Sequence, residues 1–148
     1  MSNSSEILNS AWRSEQVPLL NGILFPNGQR KVLDWDGDRL VIGAESRWDV
    51  HDLSDEMTYF TELCRTDVPN SKLVVVAGEG GLGTDGVIAL VDLDADLLCW
   101  VLFMDSSNPF SHVETIDGQI VARTTLDTTW RVDLEQPGLV TVTVDIAK

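Results

Sequence analysis

The second half of the chain is a series of short extended segments separated by turn residues, and this pattern restricts the fold more than any other feature. In chain order the segments read KLVVVA, GVIALVD, LLCWVLFM, HVETI, QIVARTT, TWRVDL and LVTVTVDI. The turns between them carry glycine, proline or aspartate, at Asp85-Gly86, Leu93–Asp96, Asp117-Gly118 and Pro137-Gly138. Short strands at such spacing are typical of a largely antiparallel sheet. LLCWVLFM is apolar on both faces, which predicts a central strand covered on both sides.

The first half of the chain predicts two helices and a hairpin. Apolar residues at helical spacing indicate a short helix within residues 4–15 and a second helix that begins near Ser54. The apolar positions of the second helix are Met57, Phe60, Leu63 and Cys64. Asp36-Gly37 lies between KVLDW and RLVIGAE, an arrangement typical of a tight hairpin. The predicted fold class is therefore α+β, a mostly antiparallel β-sheet of about seven to nine strands with one or two helices packed on it. Residues 1–148 are predicted to form a single domain.

The charge of the chain restricts its partners. Its 24 acidic and 10 basic residues give a net charge of −14. Such a field repels nucleic-acid phosphates and anionic lipid, and it speeds encounter with basic proteins. We therefore expect no direct nucleic-acid binding and no membrane partner. The charge also promotes solubility, which is the alternative explanation for it.

The start of the sequence, its apolar runs and its cysteines indicate the cellular compartment. MSNSSEILNSAWRSEQ has neither a positive start nor the apolar core of a secretory signal, and no run approaches the roughly 18 apolar residues of a membrane span. Cys64 and Cys99 are the only cysteines, which fits reduced thiols better than a disulfide framework. These observations predict a cytoplasmic protein.

A glycine motif raises the question of nucleotide binding. Gly78, Gly80 and Gly83 follow the apolar run KLVVVA with the spacing G-x-G-x-x-G. That motif binds a pyrophosphate only when its last glycine opens a helix. TDGVIALVDLDAD is rich in β-branched residues and ends in aspartates, so it disfavours a helix. We interpret residues 78–86 as a mobile connection between two strands, and as a loop that a partner could contact through Glu79 and Asp85.

Two groups of alternating aspartates are the next candidates. The first group matches positions 1, 3, 5 and 12 of an EF-hand loop with Asp34, Asp36, Asp38 and Glu45. Carboxylates at this spacing would suit a calcium ion. Arg39 occupies the sixth position, where that loop requires glycine, and the flanking segments indicate strands. The second group consists of Asp92, Asp94 and Asp96. It is explained either as an acidic hairpin turn or as carboxylates presented to lysine and arginine side chains of a partner.

Two tryptophans beside acidic residues are candidate contact residues. Trp35 and Trp48 could be exposed anchors, since tryptophan is enriched at interface hot spots, or could be partly buried against the sheet. Trp100 lies in the most apolar strand and is predicted to be core. Together with the other tryptophans, Trp35 and Trp48 are also compatible with a carbohydrate-binding β module, which is an alternative function.

The sequence contains no recognisable catalytic constellation. It has no nucleophile elbow, no cysteine beside a histidine and no metalloprotease motif. His51 lies near Asp49 and Asp52, which would permit acid–base chemistry, although such a histidine is more often a surface residue. We expect a binding protein with no cofactor, and an enzyme of unrecognised type remains an alternative.

Three segments carry a resemblance to a known class of proteins. They are the acidic groups 34–38 and 92–96 and the segment WVLFMDSSNPF, in which an apolar strand leads into a polar turn. In size, charge and β-rich plan the chain resembles the immunity proteins that bacteria keep against their own polymorphic or contact-delivered toxins. The resemblance implies tight binding to a cognate toxin, often a basic nuclease or another nucleic-acid- or nucleotide-modifying enzyme. It also implies that acidic side chains take the place of the phosphates that the toxin normally contacts.

Overall fold

The computed structural model describes residues 4–37, 39–48 and 57–144. One helix, α1 (Ser4–Arg13), precedes 13 strands in this part of the chain. The strands are β1 (Gln16–Pro18), β2 (Gly22–Leu24), β3 (Gln29–Asp36), β4 (Arg39–Arg47), β5 (Met57–Tyr59), β6 (Thr61–Asp67), β7 (Leu73–Glu79), β8 (Gly86–Asp92), β9 (Leu97–Met104), β10 (Phe110–Ile116), β11 (Gln119–Thr124), β12 (Thr128–Asp133) and β13 (Val140–Val144).

The strands form three antiparallel sheets. The largest has seven strands in the order β4-β3-β2-β9-β8-β7-β6, the second has the order β10-β11-β12-β13, and β1 pairs with β5. The predicted fold class, α+β with mostly antiparallel sheet, is confirmed. The expected single sheet of about seven to nine strands was too simple, because the C-terminal segments form their own sheet.

The four-stranded sheet packs on one face of the seven-stranded sheet, and α1 with the β1–β5 pair covers the other face. Alternate residues of β7 show both contacts: Val75 belongs to the core between the two sheets, and Val74 and Val76 belong to the core beneath the helix. Side chains alternate between the faces of a strand, so a strand covered on both sides must be apolar throughout. The same reason explains LLCWVLFM as β9, with Trp100 only 3% exposed, and both predictions are confirmed.

Helix α1 forms where the sequence predicts a helix. Leu8 and Ala11 are buried on its inner face, and Trp12 stacks on Phe60 with ring centroids 4.8 Å apart. Glu6 in the first turn and Arg13 in the last match the helix dipole. The helix ends at Arg13, and Glu15 beyond it has a positive φ of 58°.

The second predicted helix was wrong over the residues that are described. Residues 57–59 and 61–67 are strands β5 and β6, and residues 54–56 lie outside the described ranges. β6 pairs with β7 from Thr61 opposite Glu79 to Asp67 opposite Val74, with a register shift at Leu63. Leu63, one of the apolar positions that suggested the helix, is 44% exposed. The backbone partners, β1 for β5 and β7 for β6, outweighed a local helical spacing in a segment rich in threonine and aromatic residues.

Candidate functional site

The glycine motif forms a tight connection between β7 and β8, and no helix begins in it. The carboxylate of Asp85 lies inside this loop and accepts hydrogen bonds from the backbone amides of Gly80, at 3.0 Å, and Leu82, at 3.3 Å. Asp85 is fully buried. An anion-binding loop offers its amides to a phosphate, whereas these two amides are already occupied by an internal carboxylate. The interpretation of residues 78–86 as a connection between two strands is therefore confirmed, and the mobility and the partner contact expected of this loop stay predictions.

Close packing explains why glycines recur in this loop. A Cβ atom on Gly80 would overlap the Asp85 carboxylate, and one on Gly78 would overlap the backbone carbonyl oxygen of Thr61. The amide of Gly81 donates to the Thr58 hydroxyl at 2.8 Å. A Cβ atom on Gly81 would overlap that hydroxyl oxygen. The glycines thus allow β6, Thr58 of β5 and Asp85 to approach the loop backbone, which is a structural role.

Two further connections lie at the same end of the seven-stranded sheet. The amide of Asn108 donates to the Thr84 carbonyl at 2.7 Å, and the amide of Asp105 donates to the Asn21 side chain at 2.9 Å. The register of β2, β3 and β9 brings the β3–β4 turn at Gly37 to this end as well. We call the connections at Gly37, 80–85 and 105–109 together the glycine-loop end.

Asp34 and Trp35 are neighbours on β3 and point to opposite faces of the sheet, as successive strand residues must. Trp35 packs against the core between the two sheets, whereas Asp34 and Asp36 are exposed on the face that carries α1. No ion pair joins either carboxylate to another side chain among the residues that the structure describes. Asp38 lies outside those residues.

A cavity of about 440 Å³ lies on the α1 face at this end. Asp34 and Asp105, both exposed, belong to its lining, and Leu19, Leu20 and Leu82 contribute apolar wall. The half-buried Arg30 also lines it, and its guanidinium donates a hydrogen bond to the carbonyl oxygen of Asn21 at 2.8 Å. Leu82 is 56% exposed. Carboxylates beside an apolar wall suit a lysine or arginine side chain, which has an aliphatic stem and a charged tip. Asp105 was not a predicted contact residue, although its position directly after the apolar strand β9 could have suggested it.

The second aspartate group lies at the opposite end of the same sheet, in the β8–β9 turn. Asp94 forms an ion pair with Lys72, and Asp96 forms one with Arg13 at 3.2 Å. The carboxylate of Asp92 accepts a hydrogen bond from the amide of Ala95 at 3.1 Å. These contacts match the acidic-hairpin explanation of the group. The length of β9 separates it from Asp34 and Asp36 by about 25 Å, so the two groups do not form one surface.

Two predicted contact residues are buried instead of exposed. Trp48 is 4% exposed, and its indole nitrogen donates to the carbonyl oxygen of Phe25 at 3.1 Å. It lies at the opposite end of the sheet from Trp35. Asp85 is buried because it anchors the glycine loop from within. Glu79, at the end of β7, is partly exposed.

The EF-hand spacing falls on a hairpin and does not form a loop. Asp34 and Asp36 lie on β3, and Glu45 lies on β4 opposite Lys31. Lys31 is three positions from Asp34, which corresponds to about 10 Å along a strand. Glu45 therefore cannot close a cage around an ion held by the two aspartates, as the last EF-hand ligand does. Within the described ranges, no group of at least three metal-ligating side chains could hold a metal ion.

Both cysteines are free and half-buried. Burial, and to a smaller extent the charge of Glu62, raises the pKa of the Cys64 thiol to about 11. Burial also raises the pKa of Cys99, with a smaller effect of Asp92. Neither thiol has the lowered pKa of a nucleophilic cysteine. His51, the histidine considered for acid–base chemistry, lies outside the described residues.

Comparisons with protein-family models, with characterised proteins and with solved structures found no match. No helix in the described part of the chain has the length and apolarity needed to cross a membrane. What the chain itself defines is a three-layer α+β protein that carries exposed carboxylates at the glycine-loop end.

Proposed function

We propose that this protein acts by binding a basic protein partner through the glycine-loop end, and that it is an immunity protein that neutralises a bacterial toxin in the cytoplasm. The observation that carries the proposal is the difference between the two aspartate groups. All four carboxylates are exposed, but Asp94 and Asp96 form ion pairs with cations of the chain itself, whereas Asp34 and Asp36 form none with the described side chains. Carboxylates that form no ion pair with another described side chain are the ones available to a basic surface.

The chain's overall charge supports the same interpretation. At a net charge of −14, the field around the protein attracts a basic toxin from a distance and raises its rate of association. Asp34 and Asp105 at the edge of the cavity on the α1 face would then receive lysine or arginine side chains. A toxin that acts on nucleic acid or nucleotides carries such cations where it contacts phosphate. The proposed inhibitor uses binding alone and performs no catalysis.

The first experiment asks whether a toxin exists. An immunity gene is expected directly downstream of its toxin gene, so the product of the preceding gene is expressed with and without this protein. Growth arrest that this protein relieves is the expected result. A harmless neighbour, or a toxic neighbour that this protein fails to neutralise, would refute the proposal.

The second experiment locates the interface with two variants of equal charge change. The double variant Asp34→Asn/Asp36→Asn is compared with Asp94→Asn/Asp96→Asn in association kinetics with the purified toxin over a range of salt concentrations. We expect the first variant to associate about fivefold more slowly and with a weaker salt dependence, as loss of electrostatic steering requires. The second variant should keep the wild-type salt dependence. Equal behaviour of the two variants would move the interface away from the glycine-loop end.

A further inference from the structure

Strand β13 is one edge of the four-stranded sheet, and its sequence is VTVTV. It pairs with β12 in one continuous register, from Thr128 opposite Val144 to Val132 opposite Val140. Among the described strands, none is hydrogen-bonded to its other side. β4 of the seven-stranded sheet lies near β13 but does not pair with it. The outer edge of β13 therefore presents backbone N–H and C=O groups to which a further strand can bind.

The other edges of the two larger sheets differ from β13 in two respects. β4, β6 and β10 each have a register shift in their pairing, and each carries charged side chains. Bulges and charges are means by which edge strands avoid pairing with another chain. β13, all of which is described, has no register shift and no charged residue, glycine or proline. In so acidic a chain, such an edge is typical of a strand that accepts a partner.

The hydrogen bonds between β12 and β13 indicate which backbone groups point outward. The amide of Asp133 donates to the carbonyl oxygen of Leu139, the residue before β13, at 3.1 Å. Hydrogen-bonded and non-hydrogen-bonded pairs alternate along an antiparallel ladder. Both threonines of β13 therefore direct their backbone groups toward β12. The backbone groups of its three valines point away from β12, toward the open edge.

The sequence of β13 is the same in both directions, and this symmetry identifies the partner. A second, antiparallel copy centred on Val142 places Val142 opposite itself, Val140 opposite Val144 and Thr141 opposite Thr143. The outward-pointing valines then meet as hydrogen-bonded pairs, so each of their N–H groups finds a carbonyl oxygen of the other copy. Valine and threonine are also favourable cross-strand neighbours. Val144, which is 63% exposed, would be covered by the valines of the other copy.

We propose that β13 binds β13 of a second copy of this chain, so that two four-stranded sheets join across a two-fold axis at Val142. Such a pairing uses the same surface on both copies and closes at two chains. The dimer is weak, because the contact has five residues on each side and both copies carry a charge of −14. It is separate from the proposed toxin interface, since Asp34 and Asp36 lie on the α1 face of the other sheet.

Sedimentation equilibrium of the full chain, from micromolar to millimolar concentration, tests the proposal without any toxin. We expect the weight-average mass to rise from that of a monomer to that of a dimer and to stop there. Added salt should strengthen the association because it screens the repulsion between two acidic chains, whereas it should weaken the binding of a basic toxin. A mass that stays at the monomer value, or one that grows beyond the dimer, would overturn the proposal.

Two double variants test the register through the exposed threonines. In Thr141→Lys/Thr143→Lys, each lysine stands opposite a lysine of the other copy, and the dimer should weaken by about tenfold or more. In Thr141→Lys/Thr143→Glu, each lysine stands opposite a glutamate, and the affinity should stay within about threefold of the wild type.

The comparison separates local pairing from the overall charge. The double-lysine variant is less acidic than the wild type, so weaker general repulsion would strengthen its dimer and not weaken it. Circular dichroism of both variants checks that the strands still form. Equal dimer affinities of the two variants would contradict the pairing of Thr141 with Thr143 and overturn the proposal.

Discussion

The backbone amide of Gly80 donates a hydrogen bond to the Asp85 carboxylate at 3.0 Å, inside a loop whose glycine spacing matches a nucleotide fingerprint. The carboxylate occupies the place where such a loop would hold an anion, and it is fully buried. The motif therefore uses its amides for an internal hydrogen bond that holds the loop between β7 and β8 together.

We expect Asp85→Asn to lower the free energy of unfolding by about 2 kcal/mol. Asparagine keeps one oxygen acceptor, but its amide group turns a donor toward either Gly80 or Leu82, whose N–H groups both need an acceptor. Urea denaturation measures the change. Asp36→Asn, an exposed aspartate at the same end, is the control and should change stability by no more than about 0.5 kcal/mol. Equal effects would show that the loop does not depend on the carboxylate.

Gly80→Ala should destabilise the protein by about 2 kcal/mol or more. The added Cβ would overlap the carboxylate of Asp85. Two backbone amides hold this carboxylate in place, so moving it would break hydrogen bonds and cost free energy. Gly138→Ala is the matched control, since its Cβ would meet Lys31 only at ordinary contact distance, 3.5 Å at the nearest. Thermal unfolding of both variants tests the prediction, and a stable Gly80→Ala protein would contradict the described loop packing.

Trp48→Phe should cost about 2 kcal/mol of stability, because the variant loses the indole hydrogen bond to Phe25 and leaves a small cavity in the core. Trp35→Phe serves as the control. Its indole nitrogen has no acceptor among the described residues, so we expect a loss below about 1 kcal/mol. Chemical denaturation of the two variants decides the point. The reverse order of stabilities would indicate that Trp35, and not Trp48, is the structural tryptophan.

Cys64 should react slowly with iodoacetamide in the folded protein. Burial raises its pKa to about 11, and its Sγ lies within weak hydrogen-bond distance of the carbonyl oxygens of Ala77 and Phe110, as a protonated thiol permits. In a Cys99→Ala background the alkylation rate should rise about tenfold per pH unit from about pH 7 to 9 without levelling off, because only the thiolate reacts. A plateau at the pKa of an ordinary exposed thiol, about 8.5, would contradict the burial of Cys64.

Sequence patterns predicted most of the strands correctly, but they predicted a helix where residues 57–59 and 61–67 are strands. Alternating and fully apolar runs gave β7 to β13, and Asp36-Gly37 gave the β3–β4 hairpin. These signals are local, since a strand's period and a turn's residues are read within a few positions. Met57, Phe60 and Leu63 satisfied a helical period by coincidence. Residues 57–59 became a strand that pairs with β1, and residues 61–67 became a strand because β7 offered a hydrogen-bonding edge.

For the candidate site, the sequence identified Asp34, Asp36 and Trp35 but could not separate them from the other acidic and aromatic residues. The ion pairs that occupy Asp94 and Asp96 join residues 22 and 83 positions apart along the chain. No local pattern reports such a contact. The same is true of Trp130, which becomes fully buried only when the second sheet packs beside β3.

The sequence by itself therefore determined an acidic, strand-rich α+β chain with glycine turns, because charge and strand period are properties of the residues in order. Only the tertiary structure decided which carboxylates form ion pairs within the chain and why the glycines of residues 78–86 are needed. Hydrogen bonds, ion pairs and close approach depend on which other part of the chain lies alongside. At Asp85 that neighbour is a pair of backbone amides, and at Asp94 and Asp96 it is a lysine and an arginine. Asp34 and Asp36 face outward from β3.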